Sequence, residues 1–493
     1  MSDLINHMAR LYIIADGGSD PVLARMYHPV WHVIPNLAID LIGPPLIKLT
    51  SVSTAARILL ALGLLLCLLG TIAFHRATFG ARSYWPLAVG LVVYNGEFLL
   101  GFMNFIIGTG MALLFAAAAM SKNQMLEKVR LPLSCVAAIV IFFCHGWALL
   151  FYFLLLGIHE LFNVKLPTWQ RDLSRSAFRL VVPAIIPAIL LHLSPPSHVD
   201  QYGWISLTEL FGQAISPFTN YNPVLDAASL CIVLGMIGFL VFRNILIVPR
   251  TTALTFLLLG LLFILCPWSM RGATFFANFL NTRFAFFMAL MLFAGIRPDF
   301  APRPEWRLPA FSLLTLLFVV RIGVIADVWH ASQRDINDMR GLGAALPPGG
   351  RVLATRVVPD EDRAKYFHDQ PAGRQLRGLF ANFWFLPSLW VIEQHVFFPL
   401  LFTNPLLQPL EVTDAYRSIS SQTNAPPDYR ALYDPILAAN EAKQSPYFPG
   451  WQQHFDYVVV LSAGRAEHLD GLDSLPLVLI GKTDIAALYR VVR

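Results

Sequence analysis

The sequence predicts a membrane-embedded, all-α bundle of about ten helices followed by a C-terminal α/β domain. Three observations predict it. Hydrophobic residues make up 56% of the 493 and charged residues only 14%, where soluble domains run at about 45–50% apolar and about 25% charged. Apolar stretches recur from residue 54 to residue 328 with short polar turns between them. From residue 329 onward the composition changes to charged residues, Pro-Gly turns and short Val/Leu/Ile-rich runs. The chain therefore reads as an outer amphipathic segment over 1–53, a transmembrane helical domain over 54–328 and an extracytoplasmic α/β domain over 329–493.

The opening segment carries Asp3, His7 and Arg10, breaks at Asp16-Gly17-Gly18-Ser19-Asp20-Pro21, and returns through Trp31-His32-Val33-Ile34-Pro35-Asn36. The glycine-rich break reads as a helix-to-helix turn rather than a metal or phosphate loop. Residues 33–49 hold Asp40, Lys48 and Pro44-Pro45, which suits an interfacial helix better than a span. Because this polar segment falls on the outer side by the charge rule below, a further helix upstream of Met1 is expected.

Candidate spans fall near 55–74, 86–100, 104–120, 131–144, 145–161, 179–194, 224–243, 252–269, 280–296 and 309–327. The pairs meeting at Gly101–Asn104 and at Cys144–Gly146 have almost no loop and read as tight helical hairpins. Loops rich in Lys and Arg follow His75-Arg76, Lys122, Lys165, Arg243 and Arg297. The alternate loops, including Ser194 to Tyr221 with Asp200 and Glu209, are poor in both. The positive-inside rule puts the first set in the cytoplasm and both chain ends outside.

In the tail, strand-like runs occur at Arg351–Val358, Tyr457–Ser462, Leu477–Ile480 and Ala486–Val492. Helical stretches lie near Asp335–Leu346 and Asp428–Glu441, and the charged run Asp360-Glu361-Asp362-Arg363 sits between. Phe380–Leu401 is apolar and aromatic, but Pro387, Glu393, His395 and Pro399 interrupt it. It reads as a segment packed against the membrane domain, not an eleventh span.

Composition also excludes. The formal charge of +5 is dispersed into loops, which is an orientation signal and not a nucleic-acid surface. Cys67, Cys135, Cys144, Cys231 and Cys266 all sit in apolar runs without CxxC or ligand spacing, so no disulfide framework or zinc site is indicated. The chain has no GxGxxG after a strand, no P-loop, no HExxH and no GxSxG. No internal repeat is visible, which argues against a secondary transporter.

The residues left to carry chemistry are few. Asp3, His7 and Arg10 are spaced by four and three, on one face of a helix. A carboxylate there can serve as general base, and Arg10 can steer a phosphate; capping by Asp3 is the simpler use of the same residue. Glu97, in Tyr94-Asn95-Gly96-Glu97-Phe98, and Asn104 face each other across the first hairpin turn, and His145 sits at the second. Arg271 and Arg283, with Asn278 and Asn281, flank the entrance of a later helix. Ionisable groups at such depth are costly and mark a cavity or a partner; arginines there suit a lipid phosphate held bidentately. Snorkelling of the arginines, a Glu97–Asn104 hydrogen bond and a helix-end role for His145 are the structural alternatives.

Three stretches carry a family resemblance. Asp3-Leu4-Ile5-Asn6-His7-Met8-Ala9-Arg10 resembles a D-x-x-N-H-x-A-R opening. Tyr94-Asn95 through Phe98-Leu99-Leu100-Gly101-Phe102-Met103-Asn104-Phe105 is similar to a YN…FLxGFxNF hairpin, and Phe455-Asp456-Tyr457-Val458-Val459-Val460 to an FDYVxV strand. With this layout, the chain resembles uncharacterised bacterial members of the GT-C superfamily, integral-membrane glycosyltransferases that use polyprenyl-phosphate-linked sugars. The resemblance implies inverting transfer of a sugar to an envelope glycan, lipid or protein acceptor on the outer face of the inner membrane. It implies Asp3 as base and Arg283 or Arg271 near the lipid phosphate; His7, Arg10, Glu97, Asn104 and His145 are the further substrate-binding candidates by their positions in the sequence. The residues fix no cofactor, and a divalent metal is compatible with this reading. The alternative is a non-catalytic lipid-binding or assembly component of envelope polysaccharide synthesis with the same architecture.

Overall fold

The computed structural model describes residues 3–80, 82–196, 198–272, 276–358, 375–376, 380–381, 383–421, 425–461 and 469–493. The run Asp360–Arg363 lies outside them. The chain divides into two compact units. One comprises His32–Leu41 and Arg57–Val324; the other comprises Met1–Trp31, Ile42–Ala56 and Ile325–Arg493. The units thus fall differently from the segments 1–53, 54–328 and 329–493. The reason is visible in the first helix, Leu4–Asp16, whose Ala9, Ile13 and Ile14 are buried. These apolar residues belong to the same core as Trp390, Leu400 and Val458.

The helical unit is built from the apolar stretches. Five helices are long and apolar enough to cross a membrane: Val52–Phe79, Met103–Met120, Leu166–Leu193, Pro223–Phe242 and Pro304–Gly343. The stretches Trp85–Leu100, Arg130–Cys144, Gly146–Phe162, Arg250–Leu265 and Leu280–Ala294 are helical but shorter. Leu280–Ala294 is apolar on every side and buried along nearly its whole length, as a helix without a polar face must be. Phe287 stacks on Phe151 with ring centroids 4.2 Å apart, and Phe105 meets both Phe286 and Phe287.

Both expected hairpin turns are present. Asn95 accepts a hydrogen bond from the Phe98 amide and starts the helix Gly96–Leu100. Gly101, at φ 106°, ends it, in the left-handed region that a side chain disfavours. The helix Met103–Met120 follows at once. At the second turn only His145 separates Arg130–Cys144 from Gly146–Phe162.

The other unit holds a four-stranded sheet in the order Leu477–Lys482, Ala486–Val491, Tyr457–Leu461, Val352–Arg356. All four strands coincide with the strand-like runs of the sequence. Tyr457–Leu461 pairs antiparallel with Ala486–Val491 and parallel with Val352–Arg356. Asp456 sets this register. Its carboxylate accepts from the Arg351 amide and, through both oxygens, from the Arg351 guanidinium. Phe383–Trp390 and Val396–Leu401 lie in the core of this unit. The expected helix at Asp335–Leu346 is not separate; it is the end of one 37-residue helix, Arg307–Gly343. No glycine or proline interrupts the sequence between Ala326 and Arg340, so nothing stops the helix where the apolar run ends.

Candidate functional site

In the helical unit, the first turn of Leu280–Ala294 presents Asn281, Thr282 and Arg283 in succession, all buried. Phe279 precedes them at φ 59°. A bulky residue held in the left-handed region costs about 1–3 kcal/mol and persists only where packing dictates it. Here the Phe279 ring lies against Trp268 and Phe102.

Glu97 is 3% exposed, and one of its carboxylate oxygens contacts the Thr282 hydroxyl. Thr282 also points that hydroxyl at the Phe279 carbonyl, 2.8 Å away. A hydroxyl has one proton, so it can donate to only one of these two acceptors at a time. The second carboxylate oxygen, Oε2, is buried with no hydrogen-bond partner among the described residues. The Glu97–Asn104 hydrogen bond allowed by the sequence does not form. Asn104 instead clasps residues 36–39: its Oδ1 accepts from the Ile39 amide and its Nδ2 donates to the Asn36 carbonyl.

Arg283 is 7% exposed. Its guanidinium carbon sits 5.5 Å from the Phe102 ring centre and 5.7 Å from that of Phe105, within cation–π range. Its charge acts on Glu97 and on His145, and its Nε has no hydrogen-bond partner among the described residues. The same holds for both amide atoms of Asn281. His145 caps the helix Gly146–Phe162, its Nδ1 accepting from the Trp147 amide, and its ring meets Phe105 edge-on at 5.2 Å. Orphaned polar atoms at this depth are expensive, at about 1–3 kcal/mol each. Such atoms call for a partner, either ordered water or a polar ligand.

The structure thus brings Arg283 and His145 onto Phe105 with Glu97 in electrostatic reach of Arg283, keeps Asn281 beside them, and adds Thr282, which sequence reasoning did not name. Its signal was present: an Asn-Thr-Arg triplet opening an otherwise apolar helix. Arg271 is exposed on the strand Ser269–Arg271, which pairs with Gln201–Gly203 and with Phe276–Asn278. It belongs to the approach to the helix and not to the buried cluster.

Asp3, His7 and Arg10 lie in the other unit. Asp3 occupies the cap position of Leu4–Asp16 but makes no side-chain capping hydrogen bond. Arg10 is fully buried. His7 packs on Phe402, and burial, with the charge of Arg10, lowers its pKa well below 6.5. Asn6, quoted within the opening motif but not selected, anchors this helix by donating to the Leu400 carbonyl and accepting from the Phe402 amide. The Asp16–Asp20 break is a helix-to-helix turn, in which Asp20 caps Pro21–Met26 through the Val22 and Leu23 amides. The other Asp20 oxygen meets His395 Nδ1 at 2.8 Å, and His395 Nε2 lies 3.2 Å from the Tyr12 hydroxyl.

A buried ion pair elsewhere in the helical unit was also not selected. Arg321 meets Asp226 at 3.5 Å, donates to Ser229 and to the Phe218 carbonyl, and is 2% exposed. Its hydrogen bonds identify it as a structural cross-link between Pro223–Phe242 and the last long helix. Among the described residues no group of three or more His, Cys, Asp or Glu is placed to hold a metal ion. No family model, no curated protein and no solved structure matches the chain.

Proposed function

We propose that this chain is a membrane glycosyltransferase of GT-C type. In this reading it moves a sugar from a polyprenyl-phosphate carrier to an envelope glycan, lipid or protein acceptor on the outer face of the bacterial inner membrane. The observation that supports it is the buried Arg283, with an uncommitted Nε, at the head of a buried helix whose Asn281 is also uncommitted. A guanidinium in that position, with a helix N-terminus beside it, suits a phosphate ester whose tail is in lipid. The five shorter apolar helices complete a bundle of about ten crossings, because short helices span where neighbours shield their ends.

In the reaction, an acceptor hydroxyl attacks the anomeric carbon while the bond from that carbon to the phosphate oxygen breaks. The base takes the hydroxyl proton and the carrier phosphate departs with the electron pair, its charge met by Arg283. The resemblance of the opening motif alone proposes Asp3 as that base, while Glu97 acts on Arg283 electrostatically.

The test is release of carrier phosphate from radiolabelled polyprenyl-phosphate sugars by the purified protein and by Asp3→Asn, Glu97→Gln and Arg283→Gln. Loss of about a hundredfold or more is expected for Asp3→Asn and about a hundredfold for Arg283→Gln. Turnover that survives Asp3→Asn but not Glu97→Gln would transfer the base role to Glu97. Carrier binding without turnover in any form of the protein would favour the non-catalytic, lipid-binding reading.

A further inference from the structure

A half-open cavity of about 600 Å³ lies in the helical unit between the Trp85–Leu100 segment and the start of Arg307–Gly343. Its size falls in the range of small-molecule sites, about 300–1,000 Å³. Leu87, Leu91, Phe311 and Phe318 make its walls apolar, while Tyr84 and Arg307 are its polar residues at the loop end and Thr315 lies further along the helix. The walls are fixed by specific contacts. Trp85 donates its ring N–H to the Leu292 carbonyl and packs on Phe293. Phe300 meets Phe311 at 6.0 Å. Gly90 lets Phe318 approach so closely that a Cβ would lie 2.9 Å from its ring.

Both walls emerge from basic loops. Residues 75–84 and 297–307 contain Arg76, Arg82, Arg297, Arg303 and Arg307 against Asp299 and Glu305, five cations to two carboxylates. Arg297 stacks on Phe79 at 5.3 Å and joins the two loops. An apolar slot between helices with an arginine at its loop end, on a segment rich in further arginines, is the arrangement that takes an anionic phospholipid, acyl chain in the slot and phosphate at the arginine.

We infer that this cavity is a binding site for an anionic membrane phospholipid, with Arg307 as the headgroup contact. It is independent of the Glu97–Arg283 cluster and of the proposed transfer. The experiment is native mass spectrometry of the full chain after incubation with phosphatidylglycerol or phosphatidylcholine of identical acyl chains. Wild type is expected to retain phosphatidylglycerol preferentially. Arg307→Gln should weaken that preference about fivefold, the effect of one arginine near a headgroup, while the exposed Arg171→Gln should leave it unchanged. Ala88→Trp, which fills the slot, should remove retention of both lipids. Equal retention of the two lipids by wild type would overturn the assignment. So would equal losses in Arg307→Gln and Arg171→Gln, or full retention by Ala88→Trp. Arg307 is exposed, so its variant remains informative if Ala88→Trp does not fold.

Discussion

His7 shows how burial alone changes the behaviour of a residue. Its pKa is lowered by desolvation and then by Arg10, so the folded unit holds it neutral. In the unfolded chain it titrates near 6.5. Below that pH the unfolded state binds the extra proton, so stability rises with pH and is lost as pH falls from about 6.5 toward the folded value. The slope cannot exceed about 1.4 kcal/mol per pH unit. Unfolding midpoints of wild type measured between pH 7.5 and 5.5 should fall more steeply than those of His7→Asn; parallel slopes would contradict this. The Asp226–Arg321 pair tests a different property. Asp226→Asn leaves a buried guanidinium without its counter-charge, and a loss of about 3–5 kcal/mol is expected. The double change Asp226→Leu with Arg321→Met should recover most of it, as read from thermal unfolding in detergent. Glu97 and Arg283 were legible as ionisable residues in apolar runs. Arg321 obeys the same rule, but Asp226 reads locally as a first-turn helix acid, so nothing in sequence joined the two. Thr282 was hidden for another reason. Its polarity is ordinary, and only burial makes it costly.

At the scale of elements, sequence reasoning located the helices and the sheet strands well, because hydrophobic periodicity and turn residues are local signals. It could not see which helices approach most closely. Val52–Phe79 and Met103–Met120 touch through Gly70 and Gly110. A Cβ at Gly110 would lie 2.5 Å from the Leu66 backbone, and one at Gly70 would lie 2.5 Å from the Gly110 carbonyl. Small residues at such crossings let helix backbones pack without a hydrophobic drive. Gly110→Val should therefore force the helices apart and cost more than about 1–3 kcal/mol, the usual price of overpacking. Gly235→Val is the control, since a Cβ there meets nothing within 4 Å, and it should change the unfolding midpoint little. Equal effects would mean that the helix contact is not what the glycines serve. Helix ends were less legible. The apolar run stops near residue 327, but backbone hydrogen bonding continues to Gly343, because helix length answers to stop signals and not to polarity.

At the scale of the whole molecule, composition alone announced an apolar helical body and a mixed tail. The joining of the opening helix to the tail unit was not legible, because Asn6 reaches partners 394 and 396 residues away in sequence. What remains to be measured is how many times the chain crosses. Five helices are long enough and five are shorter, and the two possibilities order the loops differently. If all of them cross, Tyr84 and Met125 share one side while Leu207 and Ala439 share the other. If only the long ones cross, Tyr84 joins Leu207 and Ala439, and Met125 stands alone. Single cysteines at these four positions, in a chain with the native cysteines replaced, can be labelled in intact cells with a membrane-impermeant maleimide. The arginine-rich loops favour the first pattern, with Tyr84 and Met125 protected and the other two labelled, because cytoplasmic loops retain Lys and Arg. Labelling at Tyr84 with protection at Met125 would instead mean that the short helices are buried against their neighbours without crossing. The Glu97–Arg283 cluster would then have to meet its ligand from within the bundle.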